Sequence, residues 1–283
     1  MPHTSYSALA TGDTPALIVF LLDASGSMSE PFPGYPTKAA CVKALMEDMF
    51  ETLIGRCMAG EEFKQRYHVA MIAYDDAPAS IAPPAWCIDT YAPPEQRMLI
   101  QVDTIANEGV PEINPGTTTN TRGAFQLALK LLQRETPRRV RSATSGRPFP
   151  APIVCHLTDG AWNTGGHPAQ VVEAIQSLRN EDGGVLVCNI FLGSGLLAVD
   201  IGPDVRAWRG VRSRDELAHE HARRLFDISS PLPPSYANFI NDSHGYSIEP
   251  GTRMLFPSET PEVLKLAFAV AGGTPSAARG WRG

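Results

Sequence analysis

The stretch that decides the fold is Leu17-Ile-Val-Phe-Leu-Leu-Asp23-Ala-Ser25-Gly-Ser27. Its continuous apolar run, bounded by turn residues, predicts a strand that is buried on both faces. After that strand, one carboxylate and two hydroxyls follow at intervals of two residues. Gly26 allows the loop to fold tightly enough for these alternate side chains to converge. Oxygen ligands of this kind favour Mg²⁺, Mn²⁺ or Ca²⁺ over zinc or copper.

Two further segments strengthen this interpretation. Ile153-Val-Cys-His-Leu-Thr-Asp159-Gly160 is a second apolar strand that ends in an aspartate and a glycine. Gly116-Thr-Thr-Thr119-Asn-Thr-Arg-Gly123 is a hydroxyl-rich turn that runs into a helical pattern. Together with the first stretch, these motifs resemble the metal-ion-dependent adhesion site (MIDAS) of von Willebrand factor A domains. The resemblance covers most of the chain, and its three motifs occur in the family's order.

The resemblance implies a set of metal ligands. In the family, Asp-x-Ser-x-Ser follows the first strand, a threonine lies in a loop before a central helix, and an aspartate follows the fourth strand. The matching residues of this chain are Asp23, Ser25, Ser27, Thr119 and Asp159. Thr119 is chosen because Asn120 and Gly123 fit the family's Thr-Asn-x-x-Gly/Ala register. Thr117 and Thr118 remain as alternatives.

The rest of the chain alternates strand-like and helix-like segments. Strands are predicted at 16–22, 67–74, 81–88, 152–157, 185–192 and 225–228, helices at 37–56, 95–107, 122–133, 168–179, 215–224 and 261–271, and a proline-rich turn at 231–234. Repeated strand, helix, strand units indicate an α/β fold with a central, mostly parallel β-sheet flanked by helices on both faces. The resemblance implies the same Rossmann-like fold. In such sheets ligands bind at the carboxyl ends of the strands, where Asp23 and Asp159 fall.

Composition favours a single globular domain. The 283 residues are 43% hydrophobic, enough for one large core. We expect an N-terminal extension at 1–15, the domain at 16–271 and a flexible tail at 272–283. A net charge of −6 argues against a nucleic-acid-binding surface. The five cysteines include no Cys-x-x-Cys pair and are interpreted as buried thiols in a reducing compartment. They are Cys41, Cys57, Cys87, Cys155 and Cys188.

The N-terminal residues carry no basic start and no apolar stretch before Pro15, and the longest apolar run is too short to span a bilayer. No secretion signal or membrane anchor is visible, so a cytoplasmic location is expected. Within the family, the overall pattern and the segment Leu225-Phe-Asp-Ile-Ser-Ser-Pro-Leu-Pro resemble bacterial tellurium-resistance proteins of the TerY-like subgroup. That subgroup works beside kinases and phosphatases.

The ligand chemistry indicates a function. Two carboxylates and three hydroxyls leave a cation such as Mg²⁺ with an exchangeable coordination position. By resemblance, an aspartate or glutamate carboxylate of a partner protein fills that position. The serines and the threonine are then direct ligands, while Asp23 and Asp159 bind directly or through water. The chain is expected to be an adaptor in a stress-response or phospho-signalling complex. Loops at 28–35, 162–167 and 194–197 would set its specificity.

Other functions have weaker support. A hydrolase triad with Ser25 and Asp159 lacks the Gly-x-Ser-x-Gly motif and an identifiable histidine base. Metal-assisted phosphoester hydrolysis lacks a nucleophile and a general base, because both carboxylates are committed to the metal. An enzyme is therefore not expected. A scaffold with a vestigial metal site is the remaining alternative.

Several conspicuous residues have simpler interpretations. His156 is expected to be packed or hydrogen-bonded rather than a ligand. His219 and His221, two apart on a helix, are expected to point to different sides. The segment 137–150, with Arg138-Arg-Val-Arg141 and Arg147, is a basic loop that is either a solvated connection or a docking patch for an acidic partner. Trp162 is either an interface anchor or a core residue.

Overall fold

The structure, a computed structural model, describes residues 6–75, 100–101, 109–110, 113, 115–116, 118–160, 165–202 and 204–273. The strands of that part are β1 (Ala16–Asp23), β2 (Met58–Ala59), β3 (Glu62–Phe63), β4 (Tyr67–Tyr74), β5 (Ile100–Gln101), β6 (Ile153–Thr158), β7 (Leu186–Leu192) and β8 (Leu255–Ser258). Six of these strands form one sheet in the order β5-β4-β1-β6-β7-β8. The short strands β2 and β3 pair with each other in antiparallel orientation.

The α-helices of the same part are α1 (Lys38–Cys57), α2 (Thr121–Glu135), α3 (Ala169–Ser177), α4 (Glu220–Ile228), α5 (Pro234–His244) and α6 (Pro261–Ala271). Side chains cap three of them: Thr37 accepts the N–H of Ala40 at 3.0 Å, Asn120 accepts the N–H of Gly123 at 2.9 Å, and His219 accepts the N–H of His221 at 3.2 Å. These caps satisfy amide groups that a helix N-terminus leaves unpaired. Within the described ranges, no helix combines the length and apolarity needed to cross a membrane.

Strand β1 lies inside the sheet between β4 and β6, parallel to both. All eight of its residues are buried, as the apolar run predicts. Phe20 of β1 packs edge-on against Phe50 of α1 and Phe268 of α6. On the opposite face, Phe125 of α2 contacts His156 of β6. The strand pairs β6–β7 and β7–β8 are also parallel, and within the described six-stranded sheet only β5 runs antiparallel to its neighbour. The predicted α/β fold, a mostly parallel sheet flanked by helices on both faces, is confirmed.

Two predicted elements in the C-terminal part are wrong. Residues 225–228 are not a strand but the last turn of α4, where three of the four side chains are buried. A short apolar run does not distinguish a strand from the buried face of a helix, which explains the error. The helix predicted at 215–224 therefore begins later, at Glu220, after a short 3-10 turn at Arg214–Glu216.

Further differences involve prolines and chain pairing. Helix α5 follows the proline-rich turn and starts at Pro234, a position where proline is favoured. Strand β8 was not predicted, because Pro257 interrupts its strand pattern. The proline is tolerated there because β8 is the last strand in the sheet order. The helix predicted at 95–107 is wrong at residues 100–101, which form β5 and pair with β4. The strand predicted at 81–88 lies outside the described residues.

The segment 6–14, within the predicted N-terminal extension, packs onto the domain. The N–H groups of Ser7 and Ala8 donate to Asp182 Oδ1 at 2.8 and 2.9 Å, and the N–H of Ala151 donates to Asp182 Oδ2 at 3.0 Å. Ala10 is fully buried. Ala151 precedes β6 and Asp182 precedes β7, so this anchor lies at the amino ends of those strands. Of the predicted tail, residues 274–283 lie outside the described part.

Candidate metal centre

The loop after β1 brings alternate side chains together. Asp23, the last residue of β1, is fully buried, and its Oδ1 accepts the N–H of Ser25 at 2.8 Å. The hydroxyl oxygens of Ser25 and Ser27 lie 3.1 Å apart. This convergence follows from a tight turn, since Gly26–Ser29 forms a short 3-10 helix directly after Ser25. The arrangement is the one that the Asp-x-Ser-x-Ser spacing predicts.

Asp159 meets this loop from the neighbouring strand. It follows β6 directly, and because β1 and β6 are adjacent and parallel, their carboxyl ends share one edge of the sheet. Ser27 Oγ donates to Asp159 Oδ1 at 2.7 Å. Since Ser27 has a single hydroxyl proton, Ser25 is the donor in the serine pair. The structure therefore places Asp23, Ser25, Ser27 and Asp159 in one hydrogen-bonded cluster.

Thr158 is part of this cluster, although the sequence motifs do not include it. Its hydroxyl donates to Asp23 Oδ2 at 2.6 Å and accepts the N–H of Gly160 at 3.2 Å. Both oxygens of the Asp23 carboxylate are thus hydrogen-bonded. Thr158 is the last residue of a fully buried strand, and it fixes the Asp23 carboxylate from the side of β6.

The threonine loop is held against the same edge. The N–H of Gly116 donates to the carbonyl of Ala24 at 2.5 Å. A Cβ on Gly116 would lie 1.8 Å from Asp75 Oδ2, so only glycine permits this approach. Asp75 follows β4 and supplies a further carboxylate at the edge that the motifs do not predict.

Within this loop, Thr119 is buried, with 3% of its surface exposed, directly before the Asn120 cap of α2. The hydroxyl oxygen of Thr118 is also buried and has no hydrogen-bond partner in the described part of the protein. Thr117 lies outside the described residues. The structure thus places the threonine loop at the predicted edge, and both Thr118 and Thr119 remain candidate donors.

A lysine completes the cluster, and no sequence signal points to it. Lys38, the first residue of α1, donates through Nζ to Asp159 Oδ2 at 2.7 Å and to Glu30 Oε2 at 2.7 Å. Its side chain is 10% exposed, the Asp159 side chain is fully buried, and the Glu30 side chain is 62% exposed. The two oxygens of Asp159 are therefore bonded by Ser27 and by Lys38.

The electrostatics of the cluster are set by burial and by this lysine. Burial raises the pKa of Asp23 to about 6, against the hydrogen bonds from Thr158 and Ser25, and the nearby Asp159 charge adds to the rise. Burial opposes the charge of Lys38, but the hydrogen bonds and charges of Asp159 and Glu30 raise its pKa overall. Lys38 in turn lowers the pKa of Glu30. A cation at the edge would therefore favour the ionised form of Asp23.

The donor set fits a hard divalent cation. Its members are carboxylate and hydroxyl oxygens, the ligands that Mg²⁺, Mn²⁺ and Ca²⁺ prefer. Among the described residues, no group of three or more histidine, cysteine, aspartate or glutamate side chains is arranged to hold a metal. A metal at this edge would thus depend on the hydroxyls of Ser25, Ser27 and the threonine loop as well as on the two aspartates.

Of the predictions for the histidines, the one for His156 is confirmed and the one for His219 and His221 is wrong. His156 is fully buried, with Nε2 bonded to the Tyr74 hydroxyl at 2.7 Å and Nδ1 to Asn189 Oδ1 at 2.8 Å, which confirms a packed and hydrogen-bonded role. The expectation that His219 and His221 point to different sides is wrong. Their ring centroids lie 5.3 Å apart, because His219 is the N-cap of α4 and accepts the N–H of His221.

The basic loop is largely structural. Arg139 is 5% exposed and donates to the Pro15 carbonyl at 2.9 Å, with a second contact to His68 Nδ1 at 2.7 Å. Arg141 donates to Glu181 Oε1 at 2.7 Å. Arg139 is therefore a structural residue, whereas the Arg138 and Arg141 side chains are 68% and 56% exposed, so the docking patch at 138–141 stays a prediction that would rest on those two.

The loops that flank the edge are partly described. In the 28–35 loop, Met28 and Phe32 are buried and hold the loop on the domain. In the 194–197 loop, the N–H of Leu196 donates to Glu259 Oε1 at 2.6 Å. Trp162 lies outside the described residues, so its role as anchor or core residue stays a prediction.

Residues 18–161 match the family model of the von Willebrand factor type A domain. Among curated proteins, none matches the chain. A structure of proximal thread matrix protein 1 from the mussel byssus is 15% identical with a TM-score of 0.46, covering 94% of this chain and 47% of that chain.

Two other similar structures contain a metal ion. A structure of the same mussel protein with a zinc-occupied MIDAS motif is 17% identical, with a TM-score of 0.38 and 67% and 38% of the two chains covered. The manganese-loaded TRAP protein of Plasmodium vivax is 16% identical, with a TM-score of 0.35 and 65% and 59% covered. This chain spans less than half the length of the mussel protein chains it matches.

Proposed function

The chain belongs to the von Willebrand factor type A domain family, and we propose that it binds a protein partner through a divalent metal held at the edge that carries Asp23 and Asp159. Domains of this family generally mediate protein–protein interaction. One observation supports the proposal most directly. Two buried carboxylates from neighbouring strands are joined by hydroxyls, with Ser27 Oγ 2.7 Å from Asp159 and Thr158 Oγ1 2.6 Å from Asp23.

The residues that would hold the metal are Asp23, Ser25, Ser27, Thr119 and Asp159. When bound, a cation such as Mg²⁺ supplies an open coordination position for one further oxygen, which we assign to an aspartate or glutamate carboxylate of the partner. Mn²⁺ and Ca²⁺ are the other candidates for this donor set. Ser25 and Ser27 orient the two carboxylates, and the surrounding loops contact the rest of the partner.

The proposed role is binding rather than catalysis. Each carboxylate of the cluster is engaged at both oxygens, so neither offers a free general base. His156 is fully buried and bonded at both ring nitrogens inside the sheet, so it is not exposed as a general base. We therefore propose an adaptor within a larger assembly, with stress response or phospho-signalling of the bacterial tellurium-resistance type as its setting.

A cytoplasmic setting is part of the proposal. Cys41, Cys57, Cys155 and Cys188 are buried free thiols in the structure, a state typical of reducing compartments. Fractionation of cells that express the tagged protein tests this point. Recovery of the protein outside the cytoplasmic fraction would contradict it.

Calorimetry with Mg²⁺ and Mn²⁺ tests the metal site. We expect wild-type protein to bind one divalent ion with modest affinity, and Asp159→Ala to lose binding by at least about tenfold, because a buried carboxylate is removed. Asp48→Ala is the matched control, since Asp48 is an exposed carboxylate on α1. Equal binding by wild type and Asp159→Ala would contradict the proposal.

A pull-down in Mg²⁺ and in EDTA then tests the partner. Capture that requires Mg²⁺ and is lost in Asp159→Ala supports a metal-completed contact. Metal and partner must strengthen each other's binding by the same factor.

One observation favours a second candidate function. The Lys38 ammonium already neutralises Asp159 without a metal. A scaffold whose site needs no metal would keep its partner in EDTA and in Asp159→Ala, and the same pull-down separates the two candidates.

A further inference from the structure

Lys38 has a position that the proposed binding function does not require. Its Nζ bridges a fully buried carboxylate oxygen of Asp159 and the carboxylate of Glu30, each at 2.7 Å. Helix α1 begins at Lys38, and the Thr37 cap fixes that first turn, so the lysine is held at the edge by the backbone. An ammonium thus occupies one face of a carboxylate that belongs to the candidate metal centre.

The charges of the cluster show what this ammonium does. Asp23 and Asp159 supply the negative charge that would attract a divalent ion, and Lys38 cancels part of it. The ammonium and a metal ion also repel each other when both lie next to the same carboxylate. A unit charge within a few ångströms of a divalent ion changes its affinity by about tenfold even in a water-like dielectric.

Glu30 acts on the same lysine from the solvent side. Its side chain is 62% exposed, whereas the Lys38 side chain is 10% exposed. The lysine therefore has two carboxylate partners, one buried in the cluster and one near solvent. A shift of the ammonium toward Glu30 would release Asp159 Oδ2 and leave the lysine paired.

We propose that Lys38 is a built-in counter-cation that competes with the divalent metal for Asp159 and so lowers and sets the metal affinity of this edge. This inference rests on the proposed metal-binding function. In the metal-free protein, Lys38 keeps Asp159 neutralised and in place. Glu30 offers the lysine an alternative partner when a metal binds. The edge thus takes up metal only when the metal competes successfully with Lys38.

Calorimetry with MnCl₂ on the full chain tests this competition. Lys38→Met is expected to bind Mn²⁺ about tenfold more tightly than wild type, because the repelling charge is gone. Lys43→Met is the matched control: it removes one positive charge from the same helix, at a side chain that pairs with Glu47, and is expected to stay within about twofold of wild type. Glu30→Gln is expected to weaken binding about threefold, since Lys38 then has only Asp159 as its carboxylate partner.

A metal-free measurement accompanies the titration. In EDTA, Lys38→Met is expected to melt roughly 3 °C below wild type, because Asp159 loses its counter-charge, and Mn²⁺ is expected to raise its melting temperature more than that of wild type. If Lys38→Met does not fold, Lys38→Gln carries the same test, since it also removes the charge and keeps a hydrogen-bond donor.

The outcomes distinguish this inference from the proposed metal-binding function on which it rests. Mn²⁺ binding that depends on Asp159 but is no tighter in Lys38→Met overturns the competition and leaves the metal site in place. Binding by Lys38→Met but not by wild type supports the competition in its strongest form. Measurable binding that is equal in wild type and Asp159→Ala, or absence of binding in every variant, overturns the proposed function and the inference with it.

Discussion

Two buried polar regions on the same sheet differ in how completely their groups are paired. In the interior, the polar network of Tyr74, His156, Asn189 and Ser229 is closed. Asn189 donates to the Ser229 hydroxyl at 2.9 Å and accepts from His156, whose other ring nitrogen accepts from the Tyr74 hydroxyl. At the carboxyl edge, two aspartates face one lysine within the cluster, and the Thr118 hydroxyl has no partner among the described residues.

The two regions show that buried polar groups can have different roles. A closed network contributes to stability and to a unique packing, because every donor and acceptor is satisfied inside the protein. The edge cluster has two aspartates for one lysine and a Thr118 hydroxyl oxygen with no partner among the described residues, which is where a cation or a partner group can bind. Burial alone therefore does not mark a site, whereas incomplete pairing at the carboxyl ends of parallel strands does.

The largest effect is expected from a substitution that breaks the closed network. Asn189→Leu leaves the ring N–H of His156 without its acceptor in the sheet interior, so the free energy of unfolding should fall by about 2–4 kcal/mol. Gln126→Leu, an exposed amide on α2, is the control and should change it by less than about 0.5 kcal/mol. Urea unfolding followed by circular dichroism measures both. A loss under about 1 kcal/mol for Asn189→Leu would remove the contrast between the two regions.

The pH dependence of stability tests whether His156 is neutral in the closed network. Burial lowers the pKa of His156 from 6.5 to about 4. The unfolded chain therefore binds the proton first as the pH falls, so the neutral histidine's contribution is complete above 6.5 and is lost as the pH falls toward 4, up to about 3 kcal/mol.

Urea unfolding at pH 7, 6 and 5 should show this loss, and His156→Gln should flatten it. His68→Gln is a second test, because burial and the Arg139 charge lower the pKa of His68 to about 4 as well. Identical slopes in wild type and His156→Gln would contradict the assignment of a neutral, closed network.

The smallest expected effect concerns the threonine loop. Thr118→Val replaces an unpartnered buried hydroxyl with an isosteric methyl group, so stability should change by less than about 1 kcal/mol. If Thr119 is the metal ligand, Thr119→Val should weaken Mn²⁺ binding at least about fivefold, and Thr118→Val should leave it unchanged. Calorimetry of the two variants decides the register. The reverse pattern would assign the ligand to Thr118.

Sequence patterns predicted the parts that depend on local order. The strand at 67–74 and the helix at 261–271 match the structure residue for residue, because apolar period and helix-start prolines are local signals. The meeting of Asp23 and Asp159 was also predictable, since adjacent parallel strands end at one edge. The Leu225–Ile228 turn was not, because a run that short fits a strand or a helix face equally well.

The missed residues depend on contacts that are distant in sequence. Lys38 reaches Asp159 across 121 positions, and Arg139 reaches the Pro15 carbonyl across 124. Nothing near either residue distinguishes a buried ion pair from a solvated charge, and the packing of whole elements decides which one forms. Lys38 therefore adds a positive charge to the candidate metal centre that the motifs do not include, and Arg139 is a structural residue of the basic loop.

The anchor at Asp182 determines how the domain can be presented to a partner. Three backbone N–H groups fix residues 7, 8 and 151 on this carboxylate at the amino ends of the strands, one strand length from the aspartates. Tyr6, whose N–H donates to the Asp182 carbonyl at 3.2 Å, therefore lies at the edge of the sheet opposite the candidate metal centre. Protein captured at that edge would present the candidate metal centre to solution, which suits surface-based binding measurements.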